Sequence, residues 1–213
     1  MNIKLQSGDT VANPGDLTDL NGVQAWLNLG ENVAVDVLSR LISAQSAFIQ
    51  NWLNRQIASQ SYTEVRDGSG VGFGRNQMVF ANYPVSSVSS LTIDGKPIPI
   101  SSDGGVLTSG FSFDSTRIWL ADTGSVLDSA FYSQYYFNKG RQNVIISYEA
   151  GYSIIPFDIE QACIELVAMR YMERTRVGLV SQNLQGQTTA YVQKVMTDSI
   201  LTTLNQYKKV IPL

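Results

Sequence analysis

The sequence predicts an α+β fold in which a small α-helical bundle carries an inserted β-rich module between its second and third helices. Apolar residues recur about every 3.6 residues near both ends of the chain, as in amphipathic helices. Between Ser61 and Glu149 the pattern changes to short β-branched and aromatic runs separated by turn-forming residues, which is typical of strands. We expect one domain over residues 1–213, with N-terminal helices at 17–56, the β-rich insertion at 61–149, and C-terminal helices with a tail at 156–213.

The N-terminal part of the chain predicts one short and one long helix. Asp16 and Thr18 are plausible N-caps for the short helix, and Gly30 stops it. From about Asn32 to Arg55 a longer amphipathic helix is expected, because its apolar residues return to one face at helical spacing. Trp52 belongs to that apolar stripe, so we expect its ring in the helical core.

The insertion is expected to contain several short strands. Asp94 and Gly95 indicate a tight hairpin turn, because glycine tolerates the positive φ that such a turn requires. The stretch Ser101–Phe113 contains three glycines and predicts a loop or a weak hairpin. The candidate strands are Tyr62–Arg66, Gln77–Ala81, Val88–Asp94, Arg117–Ala121 and Asn143–Glu149.

Four alternating glycines in Asp67–Gly74 resemble a phosphate cradle only superficially. A P-loop needs its lysine and hydroxyl at a helix start, and a dinucleotide fingerprint needs a strand before it and a helix after it. Here Arg75 and Asn76 lead into another run of strand character. The favoured interpretation is therefore the mobile tip of a β-hairpin.

Helical periodicity returns after Pro156, a residue suited to the first turn of a helix. Asp158 and Glu160 follow, where a carboxylate favours the positive end of the helix dipole. We expect this third helix to end near Arg176 and Gly178.

The C-terminal region predicts a connection, a last helix and a tail. Residues 178–190 are polar and glycine-containing, so we expect a flexible connection there. Thr197 or Asp198 is expected to cap the last helix. Residues 205–213 combine two lysines with apolar residues around Pro212, and a peptide of this kind is either frayed or docked on a partner.

Histidine is absent from the sequence, and its absence excludes several classes of site. Ser/His/Asp and Cys/His nucleophiles, histidine-ligated metals and histidine pH switches all need an imidazole. Cys163 is the one cysteine, so it forms no intrachain disulfide, and a reducing compartment is the simplest context. It follows the apolar stripe of its helix, which predicts a buried structural thiol. We expect no metal and no cofactor.

The charge of the chain is low and unevenly distributed. Charged residues make up 15% of it, below the ~25% of a typical soluble domain. A weakly charged surface is compatible with self-association and equally with a bland exterior. The net charge is −3, yet residues 166–213 carry a net +4, so an acidic partner is expected there. We expect neither a signal peptide nor a membrane span.

Three arginines, Arg170, Arg174 and Arg176, lie near the end of the third predicted helix. Cations at that position complement the helix dipole and remain in water, which is the simpler interpretation. The alternative is a ring of positive charge formed when several copies assemble. Such a ring would hold DNA phosphates by charge without reading bases.

An enzyme is the less favoured interpretation, although paired carboxylates could support a carboxylate-dependent glycan hydrolase. The candidate acids lie mostly beside Gly, Ser or Thr, where turn formation explains an aspartate without catalysis. An aromatic cluster over residues 131–137 could stack sugars or bases, but packing in a core or subunit interface is favoured. The candidate carboxylates are Asp103, Asp114, Asp122, Asp128 and Glu149.

Read in order, the chain resembles the head-tail connector (adaptor) proteins of tailed double-stranded DNA bacteriophages. Leu17–Arg55 is similar to that family's opening helix pair, and Val79–Pro99 to its β insertion. Val144–Arg174 is similar in the way that a final strand, an Ala-Gly-Tyr turn and a proline lead into the next helix. Together with Leu201–Lys209 these segments span most of the chain.

The resemblance implies a structural part of the virion neck, assembled in the host cytoplasm, and no catalysis. It implies a ring, commonly of twelve copies, that docks on the portal protein after DNA packaging and receives the next neck or tail component. Double-stranded DNA would pass through its channel with non-specific contacts. The portal-facing residues that the resemblance implies are Leu204, Tyr207, Lys208, Lys209, Val210, Ile211 and Leu213.

Two points keep other interpretations open. The family's frequent arginine-rich ending is replaced here by Lys208 and Lys209 followed by Val210–Leu213. A tail-completion or stopper protein of the same neck would share this composition and would bind the tail instead of the portal.

Overall fold

A computed structural model describes residues 13, 15–30, 33–70, 76–102, 109–121, 135–174, 181–184, 187–190 and 195–209 of the chain. The chain divides into two compact units, a helical unit of Met1–Ala58 with Ile154–Leu213 and a β unit of Ser59–Ser153. Helices and antiparallel sheets occur together, so the predicted α+β class is confirmed.

The helical unit contains four helices in its described residues, and their buried stripes form its core. Leu38, Ile49 and Leu53 of the second helix and Ile159 and Val167 of the third have at most 1% of their surface exposed. None of the described helices combines the length and apolar character that a membrane span requires. The helices are α1 (Leu20–Trp26), α2 (Val35–Leu53), α3 (Phe157–Glu173) and α4 (Asp198–Asn205).

The caps of the short helices depend on local hydrogen bonds. Asp19 caps α1, because its Oδ1 accepts a bond from the amide of Gly22 at 2.7 Å. The expectation that Asp16 or Thr18 does so is wrong: the Asp16 carboxylate instead accepts a bond from the Ser43 hydroxyl at 3.2 Å. Thr197 caps α4 and confirms the predicted start of that helix.

Trp52 is half-buried, so the expectation of a ring enclosed in the core is wrong. The fully buried residues at this end of α2 are Ile49 and Leu53. Trp52 therefore lies at the edge of the apolar stripe, beside the fully buried positions.

The β unit contains two antiparallel sheets in its described residues. One sheet has the strand order β1-β7-β3-β4 and the other has the order β2-β6-β5. The strands are β1 (Gln60–Gly68), β2 (Gln77–Val79), β3 (Val85–Ile93), β4 (Lys96–Ile98), β5 (Gly110–Phe113), β6 (Arg117–Ala121) and β7 (Gly140–Ala150). Each of the five predicted strands corresponds to one of these.

The hairpin between β3 and β4 turns at Asp94 and Gly95, as predicted. Both residues have positive φ, 52° and 73°, which matches the tight turn that the sequence indicated. Of the stretch Ser101–Phe113, predicted to be a loop or a weak hairpin, the last residues Gly110–Phe113 form a strand that pairs with β6. A Cβ at Gly110 would lie 2.5 Å from the carbonyl oxygen of Pro99, so the close approach of these two backbone segments requires glycine.

The glycine run at 67–74 joins two sheets. Its first part ends β1, which pairs with β7, whereas the following strand β2 pairs with β6. The interpretation as a hairpin tip is therefore wrong, and residues 71–75 lie outside the described residues. A Cβ on Gly68 would collide with the carbonyl group of Asn138, so this glycine is required by backbone packing.

The predicted flexible connection at 178–190 contains two strands, β8 (Ser181–Leu184) and β9 (Gln187–Ala190), which pair antiparallel. Thr188 and Thr189 favour extended backbone, a signal that the polar composition of the segment concealed.

The core of the β unit includes Phe137, which is fully buried among residues of both sheets. Tyr135 packs against the same cluster. These two members of the predicted aromatic cluster are explained by packing, and residues 131–134 lie outside the described residues.

Candidate assembly surfaces

The last described residues of the chain turn back onto the helical unit. Leu204 of α4 is fully buried and holds this helix in the core. The hydroxyl of Tyr207 donates to both carboxylate oxygens of Asp158, at 2.9 and 2.7 Å. Because Asp158 lies in the first turn of α3, this contact ties the end of the chain to the start of another helix.

The next two residues contact the end of α2. The ammonium nitrogen of Lys208 lies 4.4 Å from the ring centroid of Trp52, a cation–π geometry. The amide of Lys209 donates to the carbonyl oxygen of Leu53 at 3.0 Å. We call these contacts the C-terminal clasp: Tyr207 with Asp158, Lys208 with Trp52, and Lys209 with Leu53.

The residues expected to face a portal therefore fall into three groups. Leu204 is inside the helical unit, and Tyr207, Lys208 and Lys209 contact other residues of the same chain. Val210, Ile211 and Leu213 lie outside the described residues.

The arginines at the end of α3 interact locally. Arg170 pairs with Glu173 at 3.2 Å, one helical turn along. The guanidinium of Arg174 lies 3.7 Å from the ring centroid of Tyr171 and donates to the carbonyl oxygen of that residue at 2.9 Å. Arg176 lies outside the described residues.

The outer face of the four-stranded sheet is a second exposed surface, opposite the buried face that carries Ile146 and Tyr148. Its central residues lie in two cross-strand rows, and none of them is charged. Val65 and Ile145, which are partners across the sheet, are 53% and 41% exposed. We call this surface the neutral sheet face; its residues are Thr63, Ser147, Ser90, Val65, Ile145 and Thr92.

The helical unit also exposes large apolar side chains. Ile154 and Phe157, around the start of α3, are 75% and 81% exposed. Trp26, Val33 and Val37 are exposed near the end of α1 and the start of α2. Large exposed apolar side chains are candidates for contact with a partner where they form a contiguous patch.

The carboxylates considered for catalysis have structural environments where they are described. Asp114 accepts bonds from the amides of Thr116 and Arg117, both at 2.7 Å, and these contacts hold its pKa below the usual value. Glu149 is exposed and accepts a bond from the Ser87 hydroxyl. The described residues contain no cluster of three metal-ligating side chains. Asp103, Asp122 and Asp128 lie outside them.

Cys163 is buried, as predicted, and its sulfur lies 3.6 Å from the Ser46 hydroxyl. Burial raises the pKa of this thiol to about 12, so it stays protonated and is a poor nucleophile.

A family profile described as head completion protein matches residues 16–210. The chain belongs to the head completion protein family. Membership in it confirms the resemblance to connector proteins of the virion, and it assigns the chain a structural role in completing the head.

Solved structures with the same fold come from gene transfer agent (GTA) particles. The neck of an empty GTA particle computed with C6 symmetry contains a chain that is 18% identical, with a TM-score of 0.53 over 97% of this chain and 96% of that one. A chain in the virion of a native GTA particle is 17% identical, with a TM-score of 0.53 over 97% of this chain and 96% of that one. A chain in the neck of a native GTA particle computed with C12 symmetry is 15% identical, with a TM-score of 0.49 over 92% of this chain and 94% of that one. Comparison with curated proteins found no match.

Two residues of this head completion protein were not identified from its sequence as part of a candidate surface. Asp158 was assigned to the helix dipole and Trp52 to the core, whereas both contact the C-terminal segment. Their partners, Tyr207 and Lys208, are far away in sequence, so no local pattern predicts these contacts. Asp158 and Trp52 share only a position at the end of a helix.

Proposed function

We propose that this head completion protein is a ring-forming head-tail connector of the virion neck. It docks on the portal after DNA packaging, surrounds the passage for DNA, and presents a platform to the next neck or tail component. The family match over residues 16–210 carries this proposal. The fold, which chains in neck and virion structures of gene transfer agent particles share, supports it. The role is structural, and no catalytic step is proposed.

Docking on the portal is assigned to the C-terminal segment. Val210, Ile211 and Leu213 are apolar residues that follow two lysines. An extended apolar segment can fill a groove or add to a sheet edge of a partner. The lysines contribute positive charge in a region that carries a net +4, which favours an acidic docking surface.

Ring formation is assigned to contacts between neighbouring copies, with twelve as the proposed number. A head-to-tail ring requires two different complementary surfaces on each subunit. We propose the neutral sheet face for one of them and the exposed apolar side chains around the start of α3 for the other. The central residues of the neutral sheet face carry no charge, which favours contact with another weakly charged surface, and a second copy of this chain has one.

Non-specific contact with DNA is assigned to the arginines of α3. Arg174 is exposed, and its guanidinium retains donors beyond its bond to Tyr171. A ring of such groups would attract phosphates without sequence preference. Arg170 and Arg176 are the other candidates.

The proposal is tested by joining purified components. DNA-filled heads that lack this protein are mixed with the full chain, with a variant that ends at Lys209, or with a full-length variant carrying serine at Val210, Ile211 and Leu213. We expect the full chain to bind the heads and both variants to fail while they remain folded by circular dichroism. Full binding by both variants, or binding of the full chain to tails in place of heads, would contradict portal docking.

A further inference from the structure

We propose that Asp158 and Trp52 are positioning residues for the docking segment. Through the C-terminal clasp they hold residues 207–209, which precede that segment, against the helical unit. This inference rests on the proposed function, in which that segment binds the portal.

The contact with Asp158 is itself held in place. The Oδ1 atom of Asp158 also accepts a bond from the amide of Ile159 at 2.9 Å, a contact within α3 that orients the carboxylate independently of Tyr207. The Tyr207 hydroxyl then binds both oxygens. A charged acceptor makes this bond stronger than one between neutral groups.

The contacts at the end of α2 act on the two following residues. The carbonyl oxygens in the last turn of a helix have no partner within the helix. The carbonyl of Leu53 finds one in the amide of Lys209. Beside it, the Lys208 ammonium over the Trp52 ring directs that side chain back toward α2.

Three consecutive residues therefore contact two different helices, and this has a consequence for binding. A free peptide loses backbone and side-chain entropy when it docks. In this chain residues 207–209 are already ordered before docking. The Tyr207 hydroxyl, the Lys208 ammonium and the Lys209 amide already contact the same chain, so docking does not have to order these groups.

The test measures the affinity of the full chain for purified portal protein. The variants are Tyr207→Phe, Asp158→Ala and the pair combined. Each single variant is expected to bind about tenfold more weakly, because the segment must be ordered on binding. The double variant is expected to bind no more weakly than either single variant, because each substitution removes the same contact between Tyr207 and Asp158. Asp158→Asn keeps an acceptor oxygen and is expected to restore most of the affinity.

The cation–π contact is tested in the same way with Lys208→Met and Trp52→Leu. Lys208→Met keeps the apolar stem and carries the test if Trp52→Leu does not fold. Thermal melting of every variant separates loss of positioning from loss of fold, because Tyr207→Phe and Lys208→Met leave the core unchanged.

The outcomes are distinguishable. If Tyr207→Phe weakens binding and Asp158→Ala does not, Tyr207 touches the portal directly and the positioning role is overturned. If all clasp variants bind like the wild type while the variant ending at Lys209 does not bind, the inference fails and the proposed function stands. If the variant ending at Lys209 binds fully, both fail.

Discussion

The Tyr148 hydroxyl is the centre of a hydrogen-bond network in the β unit. Its removal should lower the free energy of unfolding more than the removal of any exposed hydroxyl. It donates to Glu64, and it accepts from the backbone amide of Asn82 at 3.2 Å. Glu64 also accepts bonds from the amide of Ala81 and from Arg66. Tyr148→Phe keeps the ring, which packs against other aromatic residues, and removes only the oxygen.

The magnitude follows from what the network loses. Hydrogen bonds to charged groups contribute about 1.5–3 kcal/mol, and Asn82 would lose an acceptor at a partly buried position. We expect Tyr148→Phe to lower the free energy of unfolding by about 1.5–3 kcal/mol. Tyr62→Phe is the matched control: its hydroxyl accepts an exposed bond from Gln60, so its loss should cost less than about 0.5 kcal/mol.

The same pair of variants predicts a pH dependence. Burial, and then the bond to Glu64, raise the pKa of Tyr148 well above 10.0. A raised pKa in the folded chain contributes stability that is fully present below the unfolded value and is lost as the pH rises above it. The stability difference between wild type and Tyr148→Phe should therefore shrink above pH 10.

The assay is urea unfolding of the full chain at pH 7, 9 and 11, followed by circular dichroism. A Tyr148→Phe variant as stable as Tyr62→Phe would refute the role of the network. A difference that stays constant up to pH 11 would refute the assignment of the raised pKa.

Four further outcomes are expected. Cys163 should react with a thiol reagent only when the chain is unfolded, because burial keeps it protonated, and absorbance of the released thiolate measures this. Burial and then the Asp19 carboxylate raise the pKa of Glu160. The stability that its proton contributes is therefore lost as the pH rises above 4.5, the ordinary pKa of a glutamate. Glu160→Gln should raise the melting temperature at pH 7 and give no gain at pH 3.5. Leu204→Ala should cost about 2–5 kcal/mol in chemical unfolding, since the side chain is fully buried. Ile145→Lys should weaken self-association in sedimentation experiments without a change in melting temperature, whereas unchanged association would remove the neutral sheet face from the ring contacts.

The elements that could be predicted from sequence are those decided by local chemistry. The hairpin at Asp94 and Gly95 and the cap at Thr197 each depend on a few neighbouring residues, and both are confirmed. The long helix α2 follows from a strong periodic pattern. Cys163 was predicted to be buried because it shares the stripe of its helix, and it is.

The remaining features depend on contacts between distant parts of the chain. Gly110–Phe113 is a strand paired with β6; Phe111 and Phe113 favour extended backbone, but they do not show which strand they pair with. Trp52 is half-buried, and its ring contacts Lys208, a residue far along the chain. Tyr207 and Asp158 come together through the packing of α3 against α4, so no local pattern shows which group the Tyr207 hydroxyl binds.

The bond from the Lys209 amide to the Leu53 carbonyl involves no side chain from either residue. Every amino acid except proline can supply that amide. Position 209 can therefore exchange its side chain for almost any other while this backbone contact with the end of α2 is kept.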